Sequence, residues 1–261
     1  IMGSETLRFR DESSQKLLDQ YTELARLAGA LAHEIKNPLS TIRLNLELLV
    51  EDFSQPETPR ERRALARIEM VQKECDRLQT ILEDFLKFAR ADRLHLEPAN
   101  LNEEIRRALR FFAARAKEAK IEIIDFLSSD LPTVLLDREA FQAAILNLLI
   151  NAQQAMPNGG ELLIRTVPSP DGVVIDLIDN GCGMDAETLA HAFDAFFTTK
   201  RGGTGLGLPT TRKIIEAHGG SITAQSEVGR GTQMTIKLPI PRQIPGEVVT
   251  THDRAGNPSR S

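Results

Sequence analysis

Apolar residues recur at steps of three and four along the first third of the chain, which is the spacing of an amphipathic helix. One such run covers residues 17–49 and a second covers residues 65–89. Between them lies the polar segment EDFSQPETPRE, whose Pro56 and Pro59 interrupt the helical pattern. The sequence therefore predicts a helical hairpin in this part of the chain.

Each helix of this hairpin carries a single apolar stripe, and two such helices cannot enclose a core by themselves. Two hairpins packed as a four-helix bundle would cover both stripes, and on this basis we predict a homodimer. In the alternative arrangement, the hairpin docks on the second half of its own chain.

The pattern changes near Pro98, after which short β-rich runs are mixed with helical ones. Helical patterns begin near Leu101, Arg138 and Leu208. Strands are predicted for the segments KIEIIDFL, PTVLLD, GELLIRTV, GVVIDLIDN, GSITAQS and TQMTIKLP. The fold class is thus predicted to be α+β and multidomain, with a helical hairpin followed by an α/β sandwich built on one mixed sheet.

These changes of pattern also predict the domain boundaries. The hairpin domain is expected over residues 17–94 and the α/β-sandwich domain over residues 101–241, joined by a linker at residues 95–100. Residues 1–16 are too few for a further domain, so they are expected to be a connector. Residues 242–261 are polar, contain Pro and Gly and show no period, which predicts a disordered tail.

Charge and cysteine usage narrow the range of functions. The formal net charge of −5 at pH 7 gives no broad basic surface for a phosphate backbone, which argues against nucleic-acid binding. Cys75 and Cys182 are far apart and lack metal-site or redox-motif spacing, as expected in a reducing compartment. The sequence shows no leader pattern and no run of about eighteen apolar residues. We therefore expect a cytoplasmic protein, or the cytoplasmic part of a longer, membrane-anchored one.

The first helix carries a polar patch within the sequence ALAHEIKNPL. His33 is predicted to face away from the apolar stripe, with Asn37 one turn further on the same face and Glu34 beside it. Pro38 crowds the carbonyl of Glu34, so we expect a bend here. An exposed imidazole whose tautomer is fixed by a carboxylate is suited to nucleophilic attack. An ordinary solvated His–Glu pair is the alternative.

Two asparagines follow one another at a spacing of four in the predicted helix FQAAILNLLINAQQAM. Asn147 and Asn151 therefore share one face of that helix. Amides among Leu and Ile are costly without partners, and an amide oxygen can ligate Mg²⁺. The alternative is a buried amide network that caps the sheet.

The motif DNGCGM follows the predicted strand GVVIDLI and places Asp179 at the strand end. Gly181 and Gly183 would let the backbone approach a flat ligand closely, and the carboxylate could accept a hydrogen bond from an adenine amino group. An ordinary strand-to-loop turn is the alternative.

The segment KRGGTGLGL leads into a helix with glycines at alternate positions, and it predicts a phosphate cradle of free amides and a helix N-terminus. Lys200 could contact a terminal phosphate. For the glycine segment as a whole, the alternative to a phosphate cradle is a flexible linker. The loop is neither a Walker motif nor a dinucleotide fingerprint. The candidate phosphate-binding residues of this loop are Gly203, Thr204, Gly205, Leu206 and Gly207.

Two further segments could also contact a ligand, one between the two glycine motifs and one after them. Phe193, Phe196 and Phe197 could clasp a flap over a ligand. The segment VGRGTQM places Thr232 before a strand, where its hydroxyl could reach a base, although a simple hairpin turn is the alternative.

Taken as an ordered set, these motifs resemble those of a sensor histidine kinase of two-component signalling. AHEIKNPL resembles the phosphoacceptor box, NLLINA the asparagine box, DNGCGM and GGTGLGL the two glycine boxes, FDAFFTTK the phenylalanine box and GRGTQMTIKLP the last strand motif. The similarity runs from about residue 17 to residue 241. It implies a dimeric four-helix bundle tethered to an ATP-binding sandwich of the type found in gyrase, Hsp90 and MutL.

The resemblance also implies roles for the residues of the first helix. His33 would receive the γ-phosphoryl group of ATP and pass it to an aspartate of a response regulator. Glu34 would act as the base that fixes the tautomer of His33. Asn37 would orient water when the kinase works as a phosphatase on that regulator.

In the second domain, the resemblance places Asn147 and Asn151 at positions that bind magnesium and phosphate, with Asn151 the stronger metal ligand. Asp179 matches the residue that recognises adenine. ATP and Mg²⁺ are therefore the expected cofactors. The chain departs from many relatives at Gln154, where they carry a basic or aromatic residue. Lys200 would then supply the phosphate contact. The segment between Phe193 and Thr204 is also short for a lid.

The sequence is also compatible with two other classes of protein, a clamp-type ATPase and a dimeric scaffold without enzymatic activity. Hydrolytic relatives carry a glutamate where this chain has Asn147, and an amide cannot take a proton at neutral pH. This difference favours the kinase.

Overall fold

The computed structural model describes residues 34–91, 94–200 and 202–240 of the chain. Its first part is an antiparallel pair of helices, α1 over residues 34–52 and α2 over Pro59–Arg90. Lys36 Nζ of α1 lies 3.4 Å from Glu83 Oε1 of α2, so the start of the described part of α1 lies beside the C-terminal part of α2. The predicted helical hairpin is confirmed for the described residues; residues 17–33 of its first helix lie outside them.

A capping box starts helix α2. The Thr58 hydroxyl accepts a hydrogen bond from the Glu61 amide at 3.2 Å, and the Glu61 carboxylate accepts one from the Thr58 amide at 3.1 Å. Pro59 is the first helical residue, where its missing N–H costs nothing. For this reason the structure places Pro59 inside α2 rather than in the loop that the sequence predicted.

The second part of the chain is built on a five-stranded mixed sheet in the order β2-β4-β5-β7-β6. Strand β2 is parallel to β4, and the other pairs are antiparallel. A separate antiparallel pair, β1–β3, forms a second sheet. The remaining elements are β1 Glu97–Ala99, α3 Leu101–Glu118, β2 Ile121–Leu127, β3 Val134–Leu136, α4 Arg138–Ala155, β4 Gly160–Ser169, β5 Gly172–Asp179, α5 Ala186–His191, α6 Gly207–Ala217, β6 Ser221–Glu227 and β7 Gly231–Pro239.

One face of the large sheet packs against the helices α3, α4 and α6 and encloses the core. Alternation along β4 turns Leu162 and Ile164 into this core. Two fully buried phenylalanines, Phe112 of α3 and Phe141 of α4, fill the space between the layers. The predicted α+β class, with a helical hairpin followed by an α/β sandwich, is therefore confirmed.

The opposite sheet face carries a polar network around Asp176, whose side chain is 5% exposed. Its carboxylate accepts hydrogen bonds from Arg165 Nε at 2.7 Å, Thr235 Oγ1 at 2.6 Å and Gln233 Nε2 at 3.0 Å. Burial alone would raise the pKa of Asp176, but these hydrogen bonds outweigh it and lower the pKa. The network therefore ties three neighbouring strands together.

All six predicted strands and the three predicted helix starts are confirmed. The sequence predicted one mixed sheet, and the structure adds a second one because PTVLLD pairs with β1. Strand β1 lies within the segment predicted as a linker. Neither β1 nor α5 was predicted, since elements of three and six residues are too short to show a period.

The start of α4 is fixed by Asp137, whose carboxylate accepts hydrogen bonds from the amides of Ala140 at 3.0 Å and His95 at 2.9 Å. The Asp137 amide donates to His218 Nε2 at 3.0 Å, and His218 Nδ1 lies 2.7 Å from the Ile214 carbonyl. These bonds attach the segment after α2 to α4 and α6.

The C-terminal end of α2 contacts the second part of the chain. Ala91 packs with Ala144 of α4 and Ile214 of α6, and Lys213 Nζ lies 4.6 Å from the centre of the Phe88 ring. Among the described residues, no helix is both long enough and apolar enough to span a bilayer.

Candidate active site

Helix α4 forms one wall of the candidate site. Asn147 Nδ2 donates a hydrogen bond of 2.9 Å to Thr211 Oγ1, and Thr211 is almost fully buried on α6. A Cβ atom on Gly207 would lie 2.5 Å from Asn147 Oδ1, so a larger residue at this position would displace the Asn147 amide. The Asn147 amide therefore holds the N-terminal turn of α6 against α4.

One turn further along α4, Asn151 faces the segment that joins α5 to α6. Lys200 Nζ donates to Asn151 Oδ1 at 3.1 Å and to Gln154 Oε1 at 2.5 Å. Partial burial of the ammonium disfavours its charged form and lowers the pKa of Lys200, although Cys182 and Asp179 act in the opposite direction. Two amide oxygens thus converge on a single cation.

Asp179 ends strand β5 and is buried. Its Oδ1 accepts a hydrogen bond of 2.9 Å from the Gly181 amide, and the amide of its strand partner Thr232 also donates to the carboxylate. Burial raises the pKa of Asp179 despite these donors and the charge of Lys200. A carboxylate has about four lone-pair sites, so acceptor capacity remains for the amino group of a ligand.

The DNGCGM loop is held between the end of α4 and the end of β6. The Cys182 amide donates to the Ala155 carbonyl at 2.9 Å, and a Cβ on Gly181 would lie 2.7 Å from the same oxygen. Gly183 has φ +67°, and a Cβ there would lie 2.0 Å from the Glu227 carbonyl. Both glycines are therefore required by close backbone approaches.

Thr232 is buried at the start of β7, and its hydroxyl lies 2.9 Å from Ser226 Oγ. Ser226 Oγ also accepts from the Met184 amide at 2.8 Å and donates to the Gly231 carbonyl at 2.9 Å. Ser226 thus connects the DNGCGM loop to β7. Sequence reasoning missed it, because a serine within the strand segment SITAQS belongs to no motif.

The glycine loop turns sharply before α6. Gly205 has φ +66°, its carbonyl accepts from the Phe196 amide at 3.0 Å, and a Cβ would lie 2.5 Å from the Phe196 carbonyl carbon. The Leu206 amide donates to Thr204 Oγ1 at 3.3 Å, and Leu206 itself is fully buried. The Gly203 amide donates to the Lys200 carbonyl at 3.2 Å. The loop and Lys200 therefore form one connected segment.

The three phenylalanines before this loop have different surroundings. Phe193 packs against the core, and the guanidinium carbon of Arg212 lies 5.0 Å from the centre of the Phe193 ring. Phe197 lies 5.5 Å from the His191 ring, and Phe196 is 62% exposed with φ +67°. Of the three phenylalanines predicted to clasp a flap, Phe193 and Phe197 thus have packing partners, whereas the Phe196 side chain is exposed.

The glycine loop also contacts the helical hairpin. Thr204 Oγ1 donates a hydrogen bond of 2.9 Å to Asp84 Oδ2 of α2, and Asp84 lies 3.7 Å from Lys87 Nζ. No sequence pattern predicts this contact, because a carboxylate on a helix normally faces solvent.

The polar patch of the first helix is only partly described. His33 lies outside the described residues, while Glu34 and Asn37 are exposed on α1. Within the described part of the chain, neither of these two side chains hydrogen-bonds to the glycine loop. Asn37 uses its carbonyl to accept a bond of 3.2 Å from Thr41 Oγ1.

The donor set fits a hard divalent cation. Asn151 Oδ1 and Gln154 Oε1 already bind one cation, the Lys200 ammonium, and oxygen donors are what Mg²⁺ prefers. No cluster of three or more His, Cys, Asp or Glu side chains suited to a metal occurs in the described residues. A metal here would thus rely on amide oxygen, water and phosphate.

Comparison with known proteins identifies the family. The model for the His Kinase A (phospho-acceptor) domain matches residues 23–94, and that for the Histidine kinase-, DNA gyrase B-, and HSP90-like ATPase matches residues 136–242. The chain is 33% identical to the signal transduction histidine-protein kinase AtoS of Escherichia coli over 241 residues. These residues cover 92% of this chain and 39% of AtoS. The chain belongs to the sensor histidine kinases of two-component signalling.

Other histidine kinases give the same result. The sensor histidine kinase ZraS of Escherichia coli is 33% identical over 231 residues, which cover 88% of this chain and 48% of ZraS. Sporulation kinase E of Bacillus subtilis is 30% identical over 240 residues, which cover 89% of this chain and 32% of that protein. This histidine kinase chain thus spans about a third to a half of the length of these curated relatives.

Solved structures of histidine kinases share the fold. Full-length ShkA in complex with AMPPNP matches 82% of this chain and 45% of its own, with 28% identity and a TM-score of 0.66. ThkA in complex with the response regulator protein TrrA matches 89% of this chain and 66% of its own, with 26% identity and a TM-score of 0.61. The second domain of this histidine kinase is accordingly an ATP-binding domain.

Proposed function

We propose that this histidine kinase uses ATP to phosphorylate His33 and passes the phosphoryl group to an aspartate of a response regulator. The observation that carries this proposal is the position of the Asn147 amide, which occupies the place of a catalytic base in hydrolytic relatives. This amide donates to Thr211 and packs on Gly207, and an amide cannot accept a proton at neutral pH. Without a water-activating base at this position, bound ATP is hydrolysed slowly and can react with a stronger nucleophile than water.

His33 would supply that nucleophile, with Glu34 beside it in the sequence. The ring nitrogen that carries a lone pair attacks the γ-phosphorus, the bond from this phosphorus to the bridging oxygen breaks, and ADP leaves. Glu34 accepts a hydrogen bond from the other ring nitrogen and so stabilises the imidazolium that forms. The ring proton then passes to the Glu34 carboxylate or to water.

The nucleotide would be held by the loops described above. Asp179 accepts a hydrogen bond from the adenine amino group, and the Thr232 hydroxyl approaches the base from β7. The glycine loop, over residues 203–207, presents its amides and the N-terminus of α6 to the phosphates. Mg²⁺, which would be held by Asn151, supplies neutralisation of phosphate charge.

Phosphoryl transfer requires the ATP domain to bring its γ-phosphate in line with His33. We propose that the units which move are the hairpin domain, residues 17–94, and the ATP domain, residues 101–241. The linker at residues 95–100 would serve as the hinge between them.

The hairpin is proposed to form a homodimer. Ile35, Ile42 and Leu49 recur every seven residues on α1 and are 46%, 45% and 40% exposed. Val71 and Leu78 of α2 have the same spacing and are 49% and 51% exposed. Such stripes are covered when two hairpins pack as a four-helix bundle.

The partner is proposed to be a response regulator receiver domain, since ThkA is known in complex with a response regulator protein. Asn37, exposed on α1, would orient water for dephosphorylation of that regulator. We also propose that the chain is part of a longer sensor, because the relatives that it matches are longer. A cytoplasmic location is proposed as well, since Cys75 and Cys182 are both free cysteines.

Labelling with ATP that carries a radioactive γ-phosphate tests the proposal. We expect label on the protein that is stable to alkali and labile to acid, and that is absent from the His33→Gln variant. Steady phosphate release by His33→Gln would instead indicate a clamp-type ATPase. Failure to bind ATP would indicate a scaffold.

A further inference from the structure

The bonds of Lys200 point to a role for Gln154 that differs from the phosphate contact expected of the basic or aromatic residue in many relatives. Asn151 and Gln154 are three residues apart on α4 and therefore share a face. Both side-chain oxygens accept hydrogen bonds from the same ammonium, at 3.1 and 2.5 Å. The shorter of these bonds goes to Gln154, so Gln154 is the closer anchor of Lys200.

Lys200 and a divalent cation compete for the same oxygen. Mg²⁺ binds oxygen at about 2.0–2.1 Å, so a metal on Asn151 Oδ1 would be at most about 5 Å from an ammonium that lies 3.1 Å from that atom. Two cations at this distance repel each other. We therefore expect Lys200 to leave Asn151 Oδ1 when a metal binds there.

The same bonds restrain the loops around the nucleotide site. The Lys200 carbonyl accepts from the Gly203 amide at 3.2 Å, and the Lys200 amide donates to Thr198 Oγ1 at 3.2 Å. A lysine fixed to α4 through Gln154 thus also fixes the backbone on either side of it.

We propose that Gln154 is a positioning residue that holds the Lys200 ammonium on the metal-binding oxygen of Asn151, so that Mg²⁺-nucleotide binds only after this internal cation is displaced. This inference rests on the proposed ATP and Mg²⁺ site. It makes Gln154 a determinant of nucleotide affinity, although the proposed function assigns it no contact with the nucleotide.

The first test needs no nucleotide. Gln154→Met keeps the length of the side chain but removes the acceptor, and Gln154 is exposed, so the core is not disturbed. In the ligand-free protein we expect faster amide hydrogen exchange over residues 196–200 and 202–206 than in the wild type. Gln225→Met, a matched change at an exposed site on β6, should leave this exchange unchanged. Unchanged exchange in Gln154→Met would overturn the proposal.

The second test measures the binding of a fluorescent ATP analogue in the presence of Mg²⁺. Loss of one charge-assisted hydrogen bond at an exposed site predicts about three- to tenfold tighter binding for Gln154→Met. In a Lys200→Met background the same change should have no effect, because the competing ammonium is already absent. Weaker or equal binding of Gln154→Met, or a gain that persists without Lys200, would show that Gln154 does not act through the lysine.

The two tests separate this inference from the proposed function. If His33 is not labelled by ATP but Gln154→Met still speeds exchange, the anchor exists and the kinase assignment is wrong. If His33 is labelled and exchange does not change, the kinase assignment stands and the anchor is wrong.

Discussion

Replacing Asp84 by alanine should loosen the contact between the helical hairpin and the ATP domain. Thr204 Oγ1 donates a hydrogen bond of 2.9 Å to Asp84 Oδ2, and this bond joins the glycine loop to α2. The substitution leaves the other contacts in place, namely Lys213 over Phe88 and the packing of Ala91. The change therefore removes one defined bond between the two parts of the chain.

The size of the effect follows from the surroundings of Asp84. A hydrogen bond to a charged group contributes about 1.5–3 kcal/mol. The Asp84 side chain is 30% exposed and also lies 3.7 Å from Lys87 Nζ, so the lower end of this range applies. About 1.5 kcal/mol corresponds to roughly a tenfold shift in the ratio of docked to undocked molecules.

Pulsed electron paramagnetic resonance can measure this ratio. Nitroxide labels at two exposed arginines, Arg77 of α2 and Arg106 of α3, would report the distance between the hairpin and the ATP domain. Cys75 and Cys182 would first be replaced, and labelled chains would be diluted with unlabelled ones so that only distances within a chain are seen. We expect a longer and broader population to grow in Asp84→Ala.

The control is Asp76→Ala, which removes another exposed carboxylate from the same helix and should leave the distances unchanged. A distance distribution for Asp84→Ala that matches the wild type would refute the reasoning. The hydrogen bond from Thr204 would then contribute nothing to docking.

Two other predictions concern the loop and the sheet. Gly205→Ala should weaken nucleotide binding at least about tenfold in a fluorescence titration, because its Cβ would lie 2.5 Å from the Phe196 carbonyl carbon. Gly202→Ala, at φ +80° but with no atom within 4 Å of its Cβ, is the control for backbone strain alone, and an equal loss there would contradict the steric argument. Asp176→Ala should lower the free energy of unfolding by about 2 kcal/mol at pH 7 in urea titrations, since it leaves Arg165 and the half-buried donors Gln233 and Thr235 without their acceptor. The folded-state pKa of Asp176 is lowered, so this stabilisation is present above the unfolded pKa of about 3.9 and is lost as the pH falls through the folded value. The difference between wild type and variant should therefore shrink in acid, and a difference that stays constant would exclude the carboxylate as its source.

The sequence predicted the elements of the fold well, because burial imposes a period that can be read directly. The alternation of Leu162 and Ile164 with outward-facing residues marks β4, for example. Elements such as β1 are too short to show such a period. They depend on a pairing partner that is distant in the chain, as Glu97 pairs with Leu136.

The candidate site was predictable to the extent that it is made of motifs. Asp179 lies at a strand end, as expected from the segment that precedes it. Contacts between distant segments were not predictable, because they depend on how the domains pack. Asp84 meets Thr204 across 120 positions, and Gln154 meets Lys200 across 46. Asp84 is a polar residue of α2 outside every motif, and Gln154 was noted only as a departure from the relatives, with no expected contact to Lys200.

Leu206 has a mechanical consequence for the glycine loop. It is fully buried directly before α6, so it acts as a tether at the downstream end of the loop. We expect any rearrangement around an incoming phosphate to be limited to residues upstream of Leu206, while the first amides of α6 keep their place. The entropy lost on binding is then confined to a few residues, because the helix end is preorganised before the ligand arrives.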